Sequence, residues 1–233
     1  MDYKLKKYKF VNHVHTPAVT ARNSFLYQSG SGDQKLTEND IATIYGSIIL
    51  KNITDSMDLE SKKLVNGTYG EMKFEGVERM IAEANIGPAD VFFDLGSGNG
   101  KAAMQVFVNA GVKEAFGVEF YPERFRNAEA ALKRLYILKP DLLNDDRLLS
   151  YQLQNIKDVY YLNDATIIYM CSTCYPDDLL EYVYNKIKSN SNLRCIITHK
   201  KYDKFLEFLP ILKTAILPCT WTPSPIWHFY TKN

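Results

Sequence analysis

The sequence predicts an α/β fold: a doubly wound, mostly parallel seven-stranded sheet behind a small N-terminal helical lobe. Two observations predict it. The first is Val91–Gly100, VFFDLGSGNG, an apolar run closed by an acid and followed by a glycine-rich turn. The second is the alternation after it, in which short apolar runs are separated by stretches with helical periodicity.

Residues 1–65 stand outside the alternation and are assigned to the lobe, leaving 66–233 as the ligand-binding domain. Within the lobe, Thr37-Glu-Asn-Asp40 can start a helix, and Ile41, Ile44, Tyr45, Ile48 and Ile49 recur at helical spacing. A second helix is expected where Phe74, Val77, Met80, Ile81 and Ala84 share one face, ending at Gly87-Pro88. Val91 to Leu95 is the first strand, with a helix entered at Lys101 and a second strand from Ala115 to Glu119. A helix then covers Pro122 to Leu138, with Phe125, Ala128, Leu132 and Leu135 inward. Further strands are read at Leu148–Leu153, Ala165–Met170 and Cys195–Thr198, and a terminal hairpin at 211–217 and 226–230. In such a sheet the ligand lies at the carboxyl ends of the first and fourth strands, where strand order reverses.

The glycine turn narrows the ligand. Glycine lets the chain take positive φ and lets a ligand approach the backbone, and the helix start offers free N–H groups. Glu119, closing the second strand, suits the two hydroxyls of a ribose. Asp94 sits directly before the first glycine, where it would repel a pyrophosphate. It favours a ligand carrying positive charge, such as the ammonium and sulfonium of S-adenosylmethionine. After the third strand, Asn155 can meet a base edge and Ile156 can pack on its face.

Composition sets the bounds. The chain has 233 residues, 46% of them hydrophobic, and a net charge of +1. That supports a real core and gives no global electrostatic case for strong nucleic-acid or membrane binding. No apolar run is long enough for a membrane span, and no signal peptide is read at the start. The four cysteines do not suggest a disulfide framework, so an intracellular location, cytoplasm or nucleus, is expected.

Three elements together carry a family resemblance: Thr68-Tyr69-Gly70-Glu71, the turn Phe93–Gly98 with Gly100, and Gly117-Val-Glu119. With Trp221-Thr222-x-x-Pro225 near the end, the chain resembles the non-SET histone-lysine methyltransferases of the disruptor-of-telomeric-silencing type, which have the class I methyltransferase (Rossmann-like) fold. The resemblance implies S-adenosyl-L-methionine as cofactor and a protein substrate with a lysine acceptor. It places Tyr69, Gly70 and Glu71 at the cofactor's methionine end. Asp94, Gly96, Ser97, Gly98, Gly100 and Lys101 would line it, Glu119 would bind the ribose, and Asn155 and Ile156 the adenine. Where the family has Asn-Asn-Phe-x-Phe after the fourth strand, this chain has Cys171-Ser172-Thr173-Cys174-Tyr175. Ser172 then takes the position of an asparagine that orients the target nitrogen and the cofactor, and His228 that of a channel tyrosine. Lys101 stands for a glutamine. The family's long basic extension has no counterpart after Asn233.

Tyr69, Ser172, Tyr175 and His228 are therefore the candidate catalytic residues, with Trp221 and Trp227 as further walls of an aromatic channel. Cys171-x-x-Cys174 could be half a zinc site, but no partner pair exists, and His13-x-His15 has no evident third ligand. No metal is expected. Two alternatives stay open: transfer to a small molecule or another side chain, and a cofactor-binding module without catalysis.

Overall fold

A computed structural model describes residues 35–46, 70–144 and 146–232. Tyr69, the His13-x-His15 pair, and Ile48 and Ile49 lie outside the described residues. Leu36–Asn233 form one compact unit.

Helix α1, Glu38–Tyr45, is started by Thr37. The Thr37 hydroxyl accepts from the Asp40 amide at 3.1 Å and the Asp40 carboxylate accepts from the Thr37 amide at 2.8 Å, a closed capping box. Helix α2, Phe74–Glu83, turns Val77 and Met80 into the core. It ends before the expected Gly87-Pro88, because Asn85 adopts φ 47°. Strand β1, Val91–Leu95, leads through the glycine turn to helix α3, Lys101–Asn109. Strand β2, Glu114–Glu119, precedes helix α4, Pro122–Leu138, whose Pro122 occupies the first turn where no amide is missed. Strands β3, Leu148–Leu153, and β4, Ile167–Met170, follow. Ala165 and Thr166, expected in β4, precede it. The chain continues through helix α5, Asp177–Ile187, strand β5, Cys195–Thr198, and the strands β6, Ile211–Ile216, and β7, Ile226–Thr231.

The strands form the expected seven-stranded sheet, in the order β3-β2-β1-β4-β5-β7-β6. The pairings from β3 to β5 are parallel, and β7 is antiparallel to both β5 and β6. Order reverses between β1 and β4, as the sequence predicts. Alternate strand residues feed two cores. Phe92, Ala115, Ile167 and Ile197 meet α2, α3 and α4 on one face. Phe93, Phe116, Ile168 and Ile196 meet α5 on the other. Burial on both faces explains why these strands read as unbroken apolar runs.

Asp90, buried just before β1, ties the unit together. It accepts from Arg194 Nε at 2.8 Å and Nη2 at 2.7 Å, from the Thr166 hydroxyl at 2.8 Å and from the Gly87 amide at 2.9 Å. Burial alone would raise the Asp90 pKa, but Arg194 and the other donors hold it below the usual carboxylate value. Arg194 also donates to the Ala84 and Asn85 carbonyls at the end of α2. Arg194→Ala is expected to cost about 2 kcal/mol in urea unfolding at pH 7, discounted from the full buried-pair penalty because the arginine is partly exposed. A depressed carboxyl stabilises above its unfolded pKa and loses that contribution as pH falls through the folded one. The penalty should therefore shrink in acid below about pH 4. An unchanged penalty at low pH would refute the ionic account.

Candidate cofactor and acceptor site

Glycines turn the chain from β1 into α3, and β2 clamps the turn. The Gly96 and Ser97 amides both donate to the Val118 carbonyl, at 2.8 and 2.9 Å. Gly98 N donates to Glu119 Oε2 at 2.8 Å, and Tyr121 N to Glu119 Oε1 at 2.8 Å. The carboxylate thus braces the turn as well as facing the cavity. Gly96 has φ 88°, and a Cβ there would overlap the Tyr175 hydroxyl. From α1, the Tyr45 hydroxyl donates to the Asn99 carbonyl at 3.0 Å, so the lobe's described helix holds the turn from outside.

A cavity of about 450 Å³ opens over the carboxyl ends of β1, β2 and β4, within the range that ligand sites occupy. Of the predicted residues, Gly70, Gly96, Gly98, Glu119, Asn155, Ile156 and Tyr175 line it. A smaller recess of about 40 Å³ shares Gly70, Gly96 and Gly98 and adds Glu71, Asp94, Ser97 and Lys101. Nearly all of the cofactor half thus gathers round one turn. Glu71 and Lys101 form an ion pair at 2.5 Å across the recess. Gly70 and Glu71 form a strap against the chain at Thr220 and Trp221. Thr220 N donates to the Glu71 carbonyl at 2.8 Å, and Glu71 N to the Thr220 hydroxyl at 3.0 Å. A Cβ on Gly70 would collide with the Trp221 indole, so glycine is what lets the two chains close together.

Burial makes both acids, Asp94 and Glu119, resist ionisation. Asp94 is 1% exposed, and its Oδ1 has no hydrogen-bond partner. Burial, then the neighbouring Glu119 charge, push its pKa well above normal, against the Ala103 amide at the start of α3. Burial also raises Glu119, opposed by the Tyr121 amide, Arg124 and the Gly98 amide. A buried carboxyl oxygen without a donor fits a positively charged ligand group and not a phosphate.

Four sequence expectations land elsewhere. Gly100 caps α3 in the left-handed region at φ 82° and lines neither cavity; Tyr151 packs where a Cβ would be and donates to its carbonyl at 2.8 Å. Ser172 is fully buried, 2.5 Å from the Thr198 hydroxyl, and accepts from the Lys200 amide at 2.9 Å. It is a strut between the ends of β4 and β5. Its neighbour Thr173 faces the cavity instead. His228 Nδ1 lies 3.1 Å from the His199 carbonyl, away from both cavities. Trp227 is core, stacked on Tyr169 with ring centres 5.4 Å apart. The Asn155 side-chain oxygen accepts from the Lys157 amide at 2.9 Å, so its amide nitrogen is the group that can meet a base.

Sequence reasoning did not select Phe120, Tyr121, Arg124, Thr173 or Leu179 as wall residues. Phe120 and Tyr121 follow the ribose-type acid directly, and that adjacency was the available signal. All four cysteines are free thiols, and among the described residues no three metal-ligating side chains converge.

Parts of the chain are similar to known proteins. The model of the family "Histone methylation protein DOT1" matches residues 49–138. An H3 lysine-79 specific histone-lysine N-methyltransferase of Caenorhabditis elegans is 43% identical over 58 residues, 25% of this chain and 6% of that protein. One from Cryptococcus neoformans is 35% identical over 66 residues, 27% of this chain and 10% of that protein. The chain thus matches only a small part of these relatives. Among solved structures, a Salinibacter ruber RNA methyltransferase in complex with S-adenosyl-L-homocysteine aligns over 69% of this chain and 92% of its own, with 16% identity and a TM-score of 0.48. A Synechocystis magnesium protoporphyrin IX methyltransferase with bound SAM covers 85% and 99%, with 13% identity and a TM-score of 0.48. The segment that builds the glycine turn and its clamping acid lies within residues 49–138, the part of the chain that the DOT1 histone methylation family model matches.

Proposed function

We propose that the chain is an S-adenosylmethionine-dependent protein-lysine N-methyltransferase, acting on a histone or another protein. The observation that carries the reading is the pairing of an orphaned Asp94 oxygen with Glu119 across one glycine turn. Asp94 and the strap at Gly70–Glu71 would hold the cationic methionine end. Glu119 would take the ribose hydroxyls, and Asn155 with Ile156 the adenine. When bound, the cofactor supplies an activated methyl group; the protein supplies alignment and exclusion of water. Trp221 and Thr173 line the same cavity and would face the acceptor. A lysine entering between them must lose its proton before its nitrogen can attack the methyl group.

The test is transfer of labelled methyl from S-adenosylmethionine to core histones, nucleosomes and a whole-cell extract, side by side. Label in histone H3 supports the family's substrate. Label in another protein keeps the chemistry and replaces the substrate. If no fraction is labelled while S-adenosylhomocysteine binds tightly, the protein-lysine reading is wrong and a small-molecule acceptor or a binding module takes its place.

A further inference from the structure

The acceptor side holds a pair of groups that the cofactor site does not use. Thr173, on the cavity wall, lies with its Oγ1 3.0 Å from His199 Nδ1. The His199 ring sits edge-on to Trp221, which lines the cavity, at 5.9 Å and to buried Trp227 at 5.4 Å. The two indoles pack edge-on against the imidazole, and its Nδ1 meets the hydroxyl of a cavity-lining residue. In the sequence His199 only marks the end of β5.

We propose that Thr173 and His199 form a proton relay that deprotonates the methyl acceptor. The inference rests on the methyltransferase reading above. The acceptor's N–H proton passes to Thr173 Oγ1 as Thr173's own hydroxyl proton passes to His199 Nδ1. The freed nitrogen lone pair is then the nucleophile for the methyl carbon, and the sulfur departs with the electrons of the broken S–C bond. The relay needs His199 neutral, with its proton on Nε2. Burial, and then the nearby His228, lower the His199 pKa and keep it neutral at physiological pH. The other ionisable groups near it are Lys200, held by Asp177 at 2.6 Å, and the thiols Cys171 and Cys174 of the loop after β4. His199 acts through Thr173 and is a positioning residue; Thr173 is the group that touches the acceptor.

The first readout needs no cofactor. Nitrogen NMR of the imidazoles in the free protein should show His199 protonated on Nε2, and Thr173→Val should raise its pKa by removing the hydroxyl's donated bond. A His199 carrying its proton on Nδ1, and so donating to Thr173, would overturn the relay. The second readout is S-adenosylhomocysteine formation with undialysed cell extract as acceptor source, across pH. His199→Phe, which keeps the packing between the indoles, should lower kcat by roughly a hundredfold and lose the wild-type acidic limb, with cofactor affinity unchanged. His199→Gln serves if the Phe variant does not fold. Thr173→Val should match it and Thr173→Ser should restore most of the rate. Wild-type turnover with a normal His199→Phe profile overturns the relay alone. Absence of wild-type turnover overturns the methyltransferase reading and the relay with it.

Discussion

Glu119→Ala is expected to abolish cofactor uptake, with affinity for S-adenosylhomocysteine falling by at least about a hundredfold in calorimetry. Two ribose hydroxyls bonded to a carboxylate contribute roughly 1.5–3 kcal/mol each. The substitution also removes the acceptor of the Gly98 and Tyr121 amides, so the glycine turn loses its brace. Glu119→Gln should fall between, because its remaining oxygen can hold one amide without the charge. Binding should also weaken as pH drops through the raised Glu119 pKa, since the carboxylate is the better acceptor. Wild-type affinity in Glu119→Ala would remove the ribose role and leave only the brace.

Asp94→Asn is expected to move stability and binding in opposite directions. In the ligand-free protein the buried carboxyl has an unpartnered oxygen and a raised pKa, so the native state holds its proton more tightly than the unfolded chain. Stability then falls as pH rises from the unfolded value, about 3.9, through the higher folded one. The amide removes that slope and should raise the neutral-pH melting temperature by about 2–4 °C, the equivalent of ~1 kcal/mol in a chain of this size. The same change removes the partner of the ligand's positive end and should weaken S-adenosylhomocysteine roughly tenfold to a hundredfold. Calorimetry in two buffers adds a sign: wild-type binding should release more protons than the variant, in which only Glu119 is left to lose one. A lower melting temperature with unchanged affinity would contradict the cation-site account.

The parallel strands β1, β2, β4 and β5 were legible because each is buried on both faces. The glycine turn and Glu119 were legible because their chemistry lies in one local segment. Boundaries set by distant partners were not. Helix α2 stops at Glu83, where Asn85 turns the chain and Arg194 collects the Ala84 and Asn85 carbonyls. Strand β4 starts only at Ile167 because Thr166 turns its hydroxyl to Asp90 and to the Val91 amide. In the loop after β4 one turn decides the roles. The 3₁₀ turn Ser172–Cys174 sends Ser172 inward and Thr173 to the cavity, a phase that no periodicity announces. His228 pairs with Thr198 across the antiparallel β5–β7 ladder, and there its ring meets the His199 carbonyl rather than the cavity.

The strap that joins Glu71 to Thr220 has a kinetic consequence. Its first chain borders the cofactor recess through Gly70 and Glu71, and its second carries Trp221 on the acceptor side. Stitched by one backbone bond and one bond to the Thr220 hydroxyl, the two walls are tied to each other. On the methyltransferase reading, a cofactor seated against Gly70 would also hold Trp221, and the acceptor would meet a fixed wall once the cofactor has bound. Steady-state turnover should follow a compulsory order, cofactor on first and demethylated cofactor off last. S-adenosylhomocysteine should accordingly compete with S-adenosylmethionine and act noncompetitively toward the acceptor.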